Sequence, residues 1–172
     1  MKLIRVGVPV AVSALLLAGC GGDGNGDAEE TISVTTSETP VAEPEEVDPV
    51  EAESLYETVE DPGLNVEWTY QGANYGTNGG TVITLAVKNL NEEPLPPDAI
   101  EPPTLTRSDG MGGTVDVELM DDDTSGITSG LDLPLGSQAI TNIRYAFEDG
   151  PGLLWDAELQ VGNVIFAGNL NI

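Results

Sequence analysis

The chain of 172 residues has no histidine, one cysteine and five basic residues. Without histidine there is no Ser-His-Asp or Cys-His nucleophile pair and no imidazole for a zinc site. A single cysteine cannot form a disulfide within its own chain, so the fold must rest on core packing. The longest apolar run, Val6 to Leu17, falls short of the about 20 residues that cross a bilayer, and Pro9 interrupts it. Catalysis through carboxylates is the one enzymatic chemistry this composition leaves open.

What is present begins with an export signal. Lys2 and Arg5 precede the apolar run, and Ala18 and Gly19 lead into Cys20. Leu17-Ala18-Gly19-Cys20, placed after a basic start and an apolar stretch, resembles the bacterial lipobox, which implies cleavage before Cys20 and a lipid on its thiol. Two acyl chains, at ~0.8 kcal/mol per buried methylene, suffice for stable attachment. The expectation is a protein held by Cys20 at the outer face of the cell membrane. Removing residues 1–19 takes two basic residues and no acidic ones, so 3 remaining cations against 30 carboxylates give a formal charge of −27. Such a chain repels nucleic acid, and its expected partner is another protein or a component of the envelope.

Residues 20–61 are rich in Gly, Ser, Thr, Pro, Asp and Glu and contain no Lys or Arg. They read as a lipidated N-terminus followed by a disordered acidic tether, because such a composition buries too little apolar surface to offset its ordering entropy. Leu55 and Val59, four apart, allow one short helix around residues 50–59. From residue 62 the pattern changes to alternation. Val66, Trp68 and Tyr70 share a face, as do Ile83, Leu85 and Val87, then Val115, Val117 and Leu119, then Ile143, Tyr145 and Phe147. Leu153, Trp155, Ala157, Leu159 and Val161 form a further face, and Gly162-Asn163 reads as a tight hairpin turn. Both tryptophans therefore read as core. The prolines from Pro94 to Pro103 mark a connecting loop, with Thr104 to Arg107 as an edge strand. About seven strands in residues 62–172 predict an all-β fold, an immunoglobulin-like antiparallel β-sandwich, with an open barrel as the alternative.

The segments VKNLNEEPLPPDAI (87–100), GLDLPLG (130–136) and LWDAELQVGNVIFAGNL (154–170) resemble a group of actinobacterial secreted lipoproteins that carry an immunoglobulin-like domain of unknown function. More distantly they resemble the secreted mycobacterial immunoprotective antigens. The resemblance implies a fold and a location, and brings no activity or site residues with it.

Three patterns carry candidate chemistry. In DDDTSGITSGLD, Asp121, Asp123, Ser125, Gly126, Ser129 and Asp132 fall at positions 1, 3, 5, 6, 9 and 12 of a calcium loop of EF-hand type. The twelfth position is Asp rather than Glu, and the flanks read as extended rather than helical. Ca²⁺ is thus the one cofactor the sequence suggests, against a plain solvated turn. Tyr70, Tyr75 and the Gly/Asn-rich loop between them suit a binding surface or a hairpin tip. Asp156 and Glu158 could serve a small carboxylate-based hydrolase, or simply form a charged row that discourages edge pairing. The leading expectation is a non-enzymatic, lipid-anchored surface module, with a calcium-organised structural element second and the hydrolase third.

Overall fold

The computed structural model describes residues 40–172. Among the described residues, nine strands form two sheets. The first is β2 (Thr58–Asp61), β3 (Val66–Tyr75), β4 (Thr81–Asn89) and β7 (Ile140–Phe147), side by side in that order. The second runs β1 (Val50–Glu51), β9 (Val164–Gly168), β8 (Ala157–Val161), β5 (Thr104–Ser108) and β6 (Thr114–Val117). All neighbours are antiparallel except β1, which lies parallel to β9. Among the described residues the only α-helical segment, α1, is the single turn Asp122–Ser125.

The seven strands from residue 66 onward make the immunoglobulin-like sandwich. Their first, second and fifth members share one sheet, and their third, fourth, sixth and seventh the other. The fourth, β6, pairs with β5, whereas constant-type immunoglobulin domains place it on the opposite sheet. The alternating faces meet between the sheets. Trp68, Ile83, Leu85, Phe147, Leu159 and Phe166 are all buried there. Tyr70 packs on Phe166 with ring centroids 5.9 Å apart, and its hydroxyl donates to the carbonyl of Leu170. At Gly72, where β3 bulges at φ 115°, the Ile172 carbonyl approaches so closely that a Cβ has no room.

Five expectations are corrected. Residues 42–61 belong to the fold rather than to a tether. The Ala42 amide donates to the Pro94 carbonyl and that of Glu45 to Gly63, at 3.0 and 2.8 Å. β1 then adds an edge strand to one sheet and β2 an edge strand to the other, so no helix forms over 50–59. Backbone pairing and a few inward side chains, Ala42, Leu55 and Val59, supply what the acidic composition lacks. Thr104 to Arg107 is an interior strand, flanked by β6 and β8. Val115 is 40% exposed because β6 is the outermost strand of its sheet. Trp155 and Leu153 are 55% and 46% exposed. A 3₁₀ turn at Pro151–Leu153 breaks the alternation before β8 begins, and Leu154 takes the buried place instead. Residues 1–39, including Cys20 and the expected export signal, lie outside the described residues.

One side chain fastens this arrangement. Asp61, with no exposed surface, accepts five hydrogen bonds. Oδ1 receives the amides of Gly63 and Leu64 at 3.0 Å and Asn163 Nδ2 at 2.9 Å. Oδ2 receives Trp68 Nε1 at 3.1 Å and the Asn163 amide at 2.9 Å. Gly162, at φ 53°, opens the two-residue turn between β8 and β9, and a Cβ there would collide with Asp61 Oδ2.

Leaving buried donors without a partner costs ~1–3 kcal/mol each, so Asp61→Ala should lower the unfolding free energy by at least about 3 kcal/mol in urea titrations. A chain beginning at residue 62 should melt at least about 10 °C below one beginning at residue 40. Burial pushes the Tyr145 phenol up to about 12 and Tyr70 higher still. The unfolded chain therefore loses these protons first. Their contribution to stability is complete below the ordinary tyrosine value of 10.0 and is lost as pH rises through the folded-state value near 12. Urea midpoints should be flat from pH 8 to about 10 and fall above it.

Candidate functional site

The strand directions define two poles. At one lie the ends of β2 and β4, the Gly162-Asn163 turn, and the segment arriving from residue 40. At the other lie the β3–β4 hairpin (residues 76–80), the β5–β6 hairpin (109–113), the 120–126 turn and the stretch 148–156. Thr77 Oγ1 ties two of these together by donating to the Ser125 carbonyl at 2.8 Å.

The predicted calcium loop sits at this second pole, and its first residues form a helical turn. Asp121 is the N-cap residue of α1, and its carbonyl accepts the amides of Thr124 and Ser125 at 3.0 and 2.9 Å. Gly126 closes the turn at φ 72°. Helical backbone advances about 100° per residue, so residues two apart point to opposite sides, whereas a calcium loop needs alternate residues to converge. Accordingly Asp121, Asp123 and Asp132 stand exposed, while Ser125 is buried with its hydroxyl 3.3 Å from the Asp122 and Ile127 carbonyls. The carboxylate the loop does use is Asp122, which accepts the Ser129 amide at 3.1 Å. Among the described residues, no three carboxylates gather in a way that could hold a metal ion.

The proposed hydrolase pair, Asp156 and Glu158, lines a groove of about 380 Å³ on the outer face of the five-stranded sheet, with Thr106, Ser108 and Thr114. Both carboxylates are exposed on this open face. A second groove, about 430 Å³, lies at the first pole between Pro44–Glu46 and Asp98–Pro102. Arg107 Nε is engaged by Asp149, and its Nη1 donates to the Ser108 carbonyl at 3.1 Å. The amides of Met111 and Gly113 hold Asp109 below the usual carboxylate range and shape the β5–β6 hairpin.

The two tyrosines expected to act together are separated in role. Tyr70 is core, and Tyr75, 80% exposed, stands at the second pole. There the structure adds Trp155, Leu153 and Met111, which the alternation either assigned to the core or passed over. The signal that could have found them is Gly150-Pro151-Gly152, which punctuates the chain before Leu153 and forbids carrying the strand pattern backward through it. Among the described residues, no helix is long and apolar enough to cross a membrane. No family profile, no curated protein and no solved structure matches this chain.

Calcium should raise the melting temperature no more than matched magnesium does, measured against a chelator control. Asp122→Ala should lower the unfolding free energy by about 1 kcal/mol, while Asp121→Asn and Asp123→Asn should each stay within about 0.5 kcal/mol of the parent.

Proposed function

We propose that the protein is a non-catalytic binding module, held at the outer face of the cell membrane by a lipid on Cys20, that presents its sandwich to a protein or envelope partner. The observation that carries this reading is the polarity of the fold. The chain arrives at one pole and is fastened to both sheets by β1, β2 and Asp61, which leaves the loops of the other pole as the free end. The sequence supports it through the export signal, the position of Cys20 and the lack of histidine and of a second thiol.

With residues 42–61 folded onto the sandwich, the span between Cys20 and the domain is residues 21–41. At ~3.4 Å per residue these reach at most about 70 Å, half of what a tether running to residue 61 would give. The domain then stays within about 70 Å of the surface that carries it. Replacing Cys20 by Ala tests the anchor. The parent should fractionate with membranes and incorporate labelled palmitate, and Cys20→Ala should lose the label and move to the soluble or medium fraction. Retention of Cys20→Ala with the membranes would overturn the anchor.

A further inference from the structure

We infer that the pole opposite the arriving chain is a docking surface for a protein whose contact face sets lysine and arginine side chains around an apolar pocket; this deepens the binding-module reading above and rests on it. Several chain segments meet at that pole. Gly79 O lies so near Gly150 that an added Cβ would stand 3.1 Å from it, and the Leu170 amide donates to Leu154 O at 2.8 Å. The Ser108 amide donates to Asp156 O at 2.8 Å, which brings the β5–β6 hairpin alongside the 148–156 stretch. This end displays Tyr75 at 80%, Met111 at 89%, Trp155 at 55% and Leu153 at 46% exposure. Single exposed apolar residues are ordinary. A tryptophan, a tyrosine and a methionine at one loop-built end are the types enriched at the centres of protein interfaces.

The charge around them names the partner's chemistry. Asp121, Asp122, Asp123, Glu148 and Asp156 stand exposed at the same end. Arg107, the cation nearby, is engaged by Asp149. An anionic rim around apolar anchors is complementary to a basic rim around an apolar pocket, and such rim charges speed encounter while the anchors slow release. The same charge opposes a second copy of this chain, and it opposes anionic lipid headgroups.

The test uses the full chain at its natural location. Tyr75→p-benzoylphenylalanine and Trp155→p-benzoylphenylalanine probe the pole, while the same replacement at Thr106 probes the outer sheet face and at Glu46 the opposite pole. Irradiation should cross-link one protein from positions 75 and 155 and none from 106 or 46. The attached peptide should carry Lys or Arg beside apolar residues. Cross-linking at position 75 should fall at least about fivefold when Trp155→Ser is added, and also on raising NaCl to about 0.5 M. An unchanged melting temperature of Trp155→Ser keeps that loss from being one of folding. Cross-links from 106 or 46 alone would overturn the pole assignment and leave the module reading standing. A partner that is a second copy, or whose peptide is acidic, would overturn the stated chemistry. No cross-link from any of the four positions would overturn both readings.

Discussion

The sandwich depends on a carboxylate with no exposed surface and, among the described residues, no cationic partner. Asp61 ends β2 with its side chain wholly buried, and five N–H groups converge on it. They come from three places: its own turn, Trp68 in the four-stranded sheet, and Asn163 in the β8–β9 turn of the five-stranded sheet. One residue therefore joins the incoming segment to both layers of the fold. Oriented dipoles do here what a salt bridge does elsewhere, and each dipole also has its own need met, since an indole or amide N–H buried without an acceptor is itself costly. Asn89 repeats the device nearby. Fully buried, it donates to the Glu93 and Leu135 carbonyls at 2.9 Å and accepts the Asn91 amide, which fastens the proline-rich loop to the end of β4.

Much of the sandwich was legible because a half-buried strand writes its environment into alternate residues. Val66, Trp68 and Tyr70, or Ile143, Tyr145 and Phe147, can be read without a structure, and so can the turn at Gly162-Asn163. The contribution of residues 42–61 was not legible, because β1 and β2 are held by backbone pairing and by one polar hub. Neither leaves an apolar period. Asp61 looked like one more acidic residue in an acidic run, and nothing local distinguishes a buried carboxylate from a solvated one. The pole was hidden for the opposite reason. Leu153 and Trp155 continue the parity of β8, and the 3₁₀ turn that interrupts it is visible only in Gly150-Pro151-Gly152. At residues 121–132 the oxygen spacing fits a calcium loop, but spacing does not fix backbone conformation. Local helical hydrogen bonds, with Asp122 accepting the Ser129 amide, turn those side chains apart.

Edges show what the acidic residues accomplish. A two-sheet sandwich has four outer strands, each a template for pairing with another chain. Residues 40–61 supply two of them, β1 and β2, as short pieces carrying Glu51 and Glu60. β6 is also short and carries Asp116. β7 is the long one, and the 118–130 stretch covers it: Met120 and Gly130 donate to the Ala146 and Arg144 carbonyls, and the Glu148 amide donates to Glu118. The acidic turn that resembles a cation site is therefore part of the cover over the most vulnerable edge, pinned at its far side by Thr77.

That covering bears on how the molecule can make contact. Strand addition needs a run of unpaired backbone groups, and on β7 the uncovered part is reduced to the stretch near Ile140–Asn142. Contact through a sheet face would use Thr106, Thr114 and Glu158 on one side, or Thr69, Thr84 and Arg144 on the other, small or charged side chains that offer few anchors. Large side chains that folding left in water gather where loops meet at the second pole, at Tyr75, Met111, Leu153 and Trp155. Those positions are fixed by strands whose register the core determines, and so they are presented on a rigid support at low entropic cost. The arrangement that shortens or covers the edges thus agrees with the side-chain recognition proposed for the far pole.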